Sequence, residues 1–391
     1  MTQQLLIAGG GMGGLAAAIA AQRAGWQARL LEQAPAFSEV GAGLQLGPNA
    51  TRILREWQLL APLAAHAAFP QRLLARDAVD GGVLAQLPLG VDFERRYGAP
   101  YATAHRADLH AVLLQGAQDA GALLRLDARI TSASDEAQAV CAATSCGHEI
   151  EADALLGADG LWSAVRAQLL HDGPPQPTGH LAYRALLRQA ELPAALRSSD
   201  VTAWLGPRMH LVSYPVRGGE WLNIAAFAEG RHGGDPQDWD HAAAAADIHA
   251  VMEGACSALR DLVHAVPAWR LWLLHDRAPL QGAQQMARGR IALLGDAAHP
   301  MLPYLAQGAG MAIEDARELG RSLASARDRV IDVETALQRY ALGRWQRCAR
   351  VQQRSQRNGR IFHLDGALRR GRDLSLRLLG ARLLDLPWLY G

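Results

Sequence analysis

Leu5 to Glu32, LLIAGGGMGGLAAAIAAQRAGWQARLLE, reads as an apolar strand, a glycine turn, an alanine-rich helix and a second strand that ends in an acid. Gly9, Gly11 and Gly14 carry the GxGxxG spacing of dinucleotide sites: the first allows the tight turn, the second admits a pyrophosphate against bare backbone, and the third lets helix and strand pack closely. The helix N-terminus then faces the phosphates with unpaired N–H groups and a partial positive charge. Glu32, at the end of the second strand, is placed to accept hydrogen bonds from ribose hydroxyls. Glycine turns also serve plain strand-to-helix packing. Here strand, turn, helix, strand and acid occur together at the required distances, and a dinucleotide site is predicted.

The rest of the chain is long enough to use such a site. At 391 residues it exceeds the roughly 250–300 at which one core stops growing, so two domains are expected. With 50% hydrophobic residues and a net charge of +1, nothing favours a nucleic acid or a membrane as partner, and a small molecule is expected. Cys141, Cys146, Cys256 and Cys348 show no CxxC or metal-ligand spacing, which points to free thiols, no structural metal and a reducing compartment. The N-terminus runs straight into the first strand and no apolar stretch reaches the length of a span, so the cytoplasm is the expected location. All 39 basic residues are arginine. Without lysine, Schiff-base chemistry and the phosphate loop of an NTPase are excluded.

Further along, Glu39 to Arg55 is interrupted by Gly41, Gly43, Gly47 and Pro48 before a helix that Asn49 could cap. Arg72 to Pro88 suggests a hairpin around Asp80, Gly81 and Gly82. A helical period starts at His105, with Arg106 at the helix start, where a cation opposes the helix dipole and suits an anionic ligand. Ala152 to Arg166 reads as a buried strand, a turn through Asp159, and a helix. Alternation in Val201 to Leu205, Met209 to Pro215 and Trp221 to Phe227 predicts a mostly antiparallel sheet. Arg290 to Asp296 returns to the parallel-strand pattern, followed by a helix opened by Gly308, Ala309 and Gly310. Beyond Val333 the chain reads as helical, with Arg344, Arg347, Arg350, Arg354, Arg357 and Arg360 forming a stripe expected to be solvated or to face a partner. The fold class expected is α/β, α+β overall: a Rossmann-like cofactor domain at 1–71, 101–173 and 281–332, a substrate domain at 72–100 and 174–280, and a C-terminal helical segment at 333–391.

Three motifs in this order, GxGxxG at 9–14, GADG at 157–160 and GDAAHP at 295–300, resemble the single-component FAD-dependent aromatic monooxygenases of the para-hydroxybenzoate hydroxylase fold. Within that family the chain is most similar to the 3-hydroxybenzoate 6-hydroxylases, through EVGAGLQLGPN at 39–49, LGPRMHLVSYPVRGGE at 205–220, GDAAHPMLPYLAQGAGMAIEDA at 295–316 and FHLDG at 362–366. The resemblance implies FAD as cofactor, NADH or NADPH as co-substrate, no metal, and a homodimer. By resemblance Gly9, Gly11, Met12, Gly13, Gly14, Glu32 and Gln33 hold the ADP half of FAD, Gln45 and Arg106 contact the cofactor, and Ile130 meets its adenine end. Asp159 supports the pyrophosphate and the nicotinamide cofactor, Asp296 holds the ribityl chain, and Pro303, Gly308, Ala309 and Gly310 lie toward the flavin.

The implied reaction inserts one oxygen atom of O2 into 3-hydroxybenzoate, giving 2,5-dihydroxybenzoate. An electron-rich ring is needed, and a phenol becomes one by losing its proton, so a base or acceptor must stand at the hydroxyl. By resemblance His210 and Tyr214 take that side; at like parity in an alternating strand they share one face, and histidine has the natural pKa for the role. Pro303 stands where 3-hydroxybenzoate 6-hydroxylases tend to carry glutamine, as it does in relatives acting on salicylate or 6-hydroxynicotinate. Gln45 stands where the 6-hydroxynicotinate enzymes tend to carry histidine. Decarboxylating salicylate 1-hydroxylation, 6-hydroxynicotinate 3-hydroxylation, a FAD oxidase or dehydrogenase, and a non-catalytic flavin-binding regulator remain as alternatives. Arg184 and Arg208 are both open as partners for a substrate carboxylate.

Overall fold

A computed structural model describes residues 2–37, 42–136, 138–230, 233–235, 237 and 241–391. Of the glycine-rich stretch at 39–49, Glu39, Val40 and Gly41 lie outside these residues. The chain forms two compact units: Met1–Glu39, Leu109–Gln176 and Asp276–Ser355 in the first, Val40–Asp108, Pro177–His275 and Gln356–Gly391 in the second. These differ from the boundaries expected from sequence. Residues 42–71 and 101–108, expected with the cofactor domain, belong to the second unit, whereas most of the long C-terminal helix belongs to the first.

The first unit is built on a 6-stranded sheet. Its central strand, Gln4–Ala8, runs parallel to Gln27–Leu31 on one side and Ala154–Gly157 on the other. Ile291–Leu293 extends the sheet in parallel, paired to Ala154–Gly157. A strand covered on both faces must be apolar throughout, and Leu5, Leu6 and Ile7 are fully buried. The helix Met12–Arg23 follows, its alanines 16, 17 and 18 buried against the core. Small side chains let it lie close to the helix Gly308–Arg327; a Cβ on Gly320 would come 3.0 Å from the Ala20 carbonyl oxygen. A 3-stranded antiparallel sheet over residues 130–152 completes the strands of this unit among the described residues.

The helix Val333–Phe362 corrects the expected arginine stripe. Arg344 is buried, with Nε donating to Asp315 at 2.7 Å and Nη1 to Glu314 at 2.8 Å. Arg347 is half-buried and grips both oxygens of Glu314. The stripe is therefore split: its first two members turn inward to acids on the preceding helix, whereas Arg350, Arg357 and Arg360 are exposed. Spacing shows which side chains share a face; it does not show that acids wait opposite them.

The second unit carries an 8-stranded sheet in the order His241–Ala243, Trp269–Asp276, Gln176–Arg188, Trp221–Glu229, Met209–Val216, Val201–Gly206, Arg72–Asp77, Val83–Pro88. Its two faces have different chemistry because strand side chains alternate. One face sends Leu181, Tyr183, Met209, Leu211, Leu222, Ile224 and Trp269 into an apolar cluster with Ile248, Leu259 and Leu262. The other bears His180, Arg184, His210, Tyr214, Asn223 and Phe227. A small antiparallel pair, Gly43–Leu46 with Ala102–His105, belongs to the same unit. The helix expected after Pro48 is Pro48–Glu56, but Gly47 occupies the cap position with no side-chain cap bond. Asn49 therefore lies inside the first turn and does not cap the helix.

Candidate active site

In the first unit the glycine turn has the shape its residues imply. Gly9 is in the left-handed region, φ +102°, and a Cβ there would come 2.5 Å from the Ala158 carbonyl oxygen. A Cβ on Gly14 would collide with the Gly9 carbonyl oxygen. Both are held to glycine by the protein's own backbone. Gly11 differs: a Cβ there would meet nothing within 4 Å. It caps the helix Met12–Arg23 with no side-chain bond and no acid in the first turn, which leaves the helix N–H groups for an anion. Glu32 accepts from Gly10 N at 2.6 Å and Ala34 N at 2.8 Å. The His110 ring meets the Gly10 carbonyl at 2.8 Å and braces the turn. Met12 and Gly13 begin the helix half-buried, Gln33 is exposed, and Ile130 is buried at the start of its strand.

The GADG turn spends its acid locally. Asp159 accepts from the N–H groups of Ala164 and Val165 and from the Ser163 hydroxyl. It thus satisfies the start of the helix Ala164–Leu170, while burial pushes its pKa upward. At the third motif, Asp296 is exposed in an otherwise buried run, with Oδ1 3.9 Å from where a Gly308 Cβ would stand. The helix Gly308–Arg327 opens on Gln307, with no side-chain cap and no acid in its first turn, so its positive end at Gly308, Ala309 and Gly310 is uncompensated. Pro303 starts the preceding short 3-10 turn.

Behind this turn lies a buried ionic knot that motif reading missed. Asp315, fully buried, accepts from Gly295 N at 3.1 Å, Arg344 Nε at 2.7 Å and Cys348 Sγ at 3.4 Å, and meets His299 Nε2 at 2.5 Å. Burial alone would raise its pKa, but His299 and Arg344 outweigh burial and hold the carboxyl below its usual range. The signal available in sequence was the pair Asp315 and Arg344, buried by helical period yet both charged.

The second unit brings the residues expected on the substrate side onto one sheet face. His210 stands opposite Phe227 and Tyr214 opposite Asn223; Arg184 stands opposite Ala225, in a row between them. His210 is buried, stacks on Phe227 at 4.6 Å between ring centroids, and its Nδ1 lies 2.7 Å from His363 Nε2. Burial, followed by the neighbouring His363 and His180, drives its pKa well below the ordinary value. Tyr214 packs over Gly43, where a Cβ would come 2.6 Å from its ring, and is hydrogen-bonded to Gln45. Burial raises its phenol to about 12. Gln45 also accepts from the Tyr101 hydroxyl at 2.6 Å. Arg106 starts the helix Arg106–Asp119, its N–H bonded to the Ala42 carbonyl.

The structure separates the two candidate arginines. Arg208 is exposed and paired with Glu229 at 2.7 Å. Arg184 lies 3.7 Å over the Trp272 ring, its Nε buried without a hydrogen-bond partner among the described residues. Burial lowers its pKa to about 10, with Tyr214 opposing and Arg106 adding to the fall. A buried cation with no acid beside it is costly unless an anion joins it.

A GxGxxG turn on a parallel sheet with an acid at the end of the second strand defines a dinucleotide-binding protein, and its second unit bears a polar sheet face. The comparisons place it: residues 2–355 match the FAD-binding domain family. The chain is 38% identical to 3-hydroxybenzoate 6-hydroxylase of Polaromonas naphthalenivorans over 99% of its own length and 95% of the relative's. It is 37% identical to 3-amino-4-hydroxybenzoate 2-monooxygenase PtnB3 of Streptomyces platensis, covering 99% and 96%. In fold it matches Klebsiella pneumoniae HpxO, a structure complexed with FAD and uric acid, with a TM-score of 0.85 at 24% identity over 98% of this chain and 94% of that one. The chain belongs to the FAD-binding-domain family and is a flavoprotein monooxygenase of the aromatic hydroxylase type, using FAD with NAD(P)H.

Proposed function

We propose that the chain hydroxylates 3-hydroxybenzoate para to its hydroxyl, giving 2,5-dihydroxybenzoate. The single observation that carries an aromatic acid as substrate is Arg184: a half-buried arginine whose guanidinium Nε is buried, without an acid partner among the described residues, on the sheet face that also holds His210 and Tyr214. Two of the relatives named above act, by their names, on hydroxylated benzoates, which supports the same class.

Gly11 and the open helix start at Met12 offer the bare backbone a pyrophosphate needs, and Gly9 and Gly14 shape the turn around them. Glu32, Gly13, Gln33, Ile130, Gln45, Arg106, Asp159, Asp296 and Pro303 are the further contacts proposed for FAD. The uncapped N-terminus at Gly308, Ala309 and Gly310 favours negative charge on a reduced flavin ring. The chemistry FAD supplies when bound is uptake of a hydride from NAD(P)H and activation of O2. Arg184 binds and orients the substrate carboxylate over Trp272. His210, kept neutral, accepts the phenol proton, which makes the ring electron-rich. Tyr214, protonated at any working pH, donates a hydrogen bond to the oxygen left behind. The assembly proposed is a cytoplasmic homodimer, which would cover the exposed Leu368, Leu374 and Leu378 of the helix Gly366–Leu379; sedimentation of the purified protein checks it.

The test is NADH oxidation by the FAD-loaded protein against 3-hydroxybenzoate, salicylate and 6-hydroxynicotinate, with products identified. Formation of 2,5-dihydroxybenzoate supports the proposal. Catechol and carbon dioxide from salicylate, or a hydroxylated pyridine, would replace it.

A further inference from the structure

His210 is buried deep, and a base that accepts a proton there must pass it on. Its side chain is 1% exposed and surrounded by Phe227 and Phe362 rings, so an imidazolium at this place is strongly disfavoured. The neighbouring residues form an ordered series toward solvent. His210 Nδ1 lies 2.7 Å from His363 Nε2. The His363 ring lies 4.9 Å from the His180 ring between centroids. One ligand atom each from His363, His180 and Glu229 fall within 4.8 Å of one another. Exposure rises along the series, from 1% at His210 and 7% at His363 to half-buried His180 and a Glu229 side chain 37% exposed.

We propose that His363 is the inner link of a proton exit from His210 to the surface at His180 and Glu229. The inference rests on the reading of His210 as the phenol's base. In the first transfer the substrate O–H bond breaks and an N–H bond forms on His210 Nε2. The His210 Nδ1–H bond then breaks as one forms on His363 Nε2. His363 in turn gives up its Nδ1 proton, from an atom shielded from solvent, to a nitrogen of His180, which passes a proton to the Glu229 carboxylate; ligand atoms of the three residues lie within 4.8 Å of one another, so a small turn of a ring closes each gap. No electrons move and no co-reactant is needed. Reprotonation of the product oxygen runs the same series backward and restores the starting tautomers.

The segment FHLDG places His363 just past the long helix, and the backbone secures it there: Arg208 N donates to the His363 carbonyl at 3.0 Å. The charged and titratable groups facing the series are His180 on its strand, Glu229 on the adjacent strand, Arg208 on Glu229, and Arg372; burial first, then His180 and Arg372, lowers His363 to about 3. All three histidines are shifted toward the neutral form, so each can accept and donate in turn. His363 touches no reacting atom and acts through His210; it is a positioning residue.

The experiment follows 3-hydroxybenzoate binding to FAD-loaded protein by stopped-flow, reading phenolate formation by its ultraviolet absorbance over a range of pH. In His363→Leu, phenolate formation should slow at least about tenfold, with substrate Kd within about twofold, and added imidazole should restore part of the rate. His363→Gln keeps a hydrogen-bonding side chain beside His210 but cannot carry a proton. It should be as slow as His363→Leu, whereas a wild-type rate in His363→Gln would show that His363 only orients the ring and would overturn the exit. His180→Gln should slow the reaction less than either and shift its pH dependence. Unchanged phenolate formation in His363→Leu, while the wild type turns over 3-hydroxybenzoate, overturns the exit alone. A wild type that neither binds nor hydroxylates 3-hydroxybenzoate overturns the functional reading and the exit with it.

Discussion

The two units treat buried charge in opposite ways. In the first, Asp315 is satisfied inside the chain by Arg344, His299, Cys348 and Gly295 N, and the knot locks the Gly295 turn to the long C-terminal helix. In the second, Arg184 has an aromatic ring and no acid among the described residues, and the histidines beside it are held neutral. A closed network needs nothing from outside and fixes geometry; a network left open electrostatically is costly until a ligand completes it. On the proposed function, the difference separates a scaffold for the glycine turn from a surface that selects a substrate.

The sharpest break of this comparison is His210→Ala. If the open face does the chemistry, the hydroxylation step should slow by about 10²–10⁴-fold while FAD stays bound, so that product formed per NADH falls more than NADH consumption, as read by chromatography of the product against NADH consumed. Unchanged yield would make the second face structural, like the first unit's knot. Next in size, Asp315→Asn removes the charge on which Arg344 and His299 converge and should destabilise the first unit by about 3–5 kcal/mol, measured by chemical denaturation with FAD retention as a second readout. A loss under about 1 kcal/mol would mean that the knot does not hold the first unit together.

Arg184→Met keeps the stem over Trp272 and removes the cation. Loss of a charge-assisted bond to a carboxylate should raise KM for 3-hydroxybenzoate by about 1.5–3 kcal/mol, tenfold or more, while the variant's folding stability holds or rises because an uncompensated charge has gone. A variant with unchanged KM would place the carboxylate elsewhere. The smallest effect is with pH. His210 and His363 have folded pKa values below their unfolded value of about 6.5, so their contribution is fully present above pH 6.5 and is lost as pH falls toward the folded values. Asp315 is held below an unfolded value of about 3.9, so its contribution is present above that and lost only below it. Between about pH 6 and 4.5, hydrogen exchange corrected for its intrinsic rate should quicken around residues 210 and 363 by up to about 1.4 kcal/mol per pH unit per group and leave the helix around Asp315 protected. Equal acceleration in both places would erase the distinction.

Sequence by itself determined the first unit's core and its purpose. A strand buried on both faces, a turn that only glycine can make and an acid at the next strand end are local necessities, because backbone angles, hydrogen bonding and side-chain size act between residues near each other in the chain. The alternation from Val201 to Phe227 fixed the antiparallel sheet and the shared face of His210 and Tyr214 for the same reason. Only the tertiary structure decided what the charged residues meet. The arginine stripe from Arg344 to Arg360 is one feature in sequence and two in space, since Asp315 and Glu314 come to its first turns from a separate helix. Arg184 and Arg208 were equal candidates until folding paired one with Glu229 and left the other over Trp272. His363 gains its proposed role only because the chain's last stretch brings it to His210 from 153 positions away in sequence. Periodicity reports which way a side chain points; the partner across the gap depends on long-range packing, which no local pattern encodes.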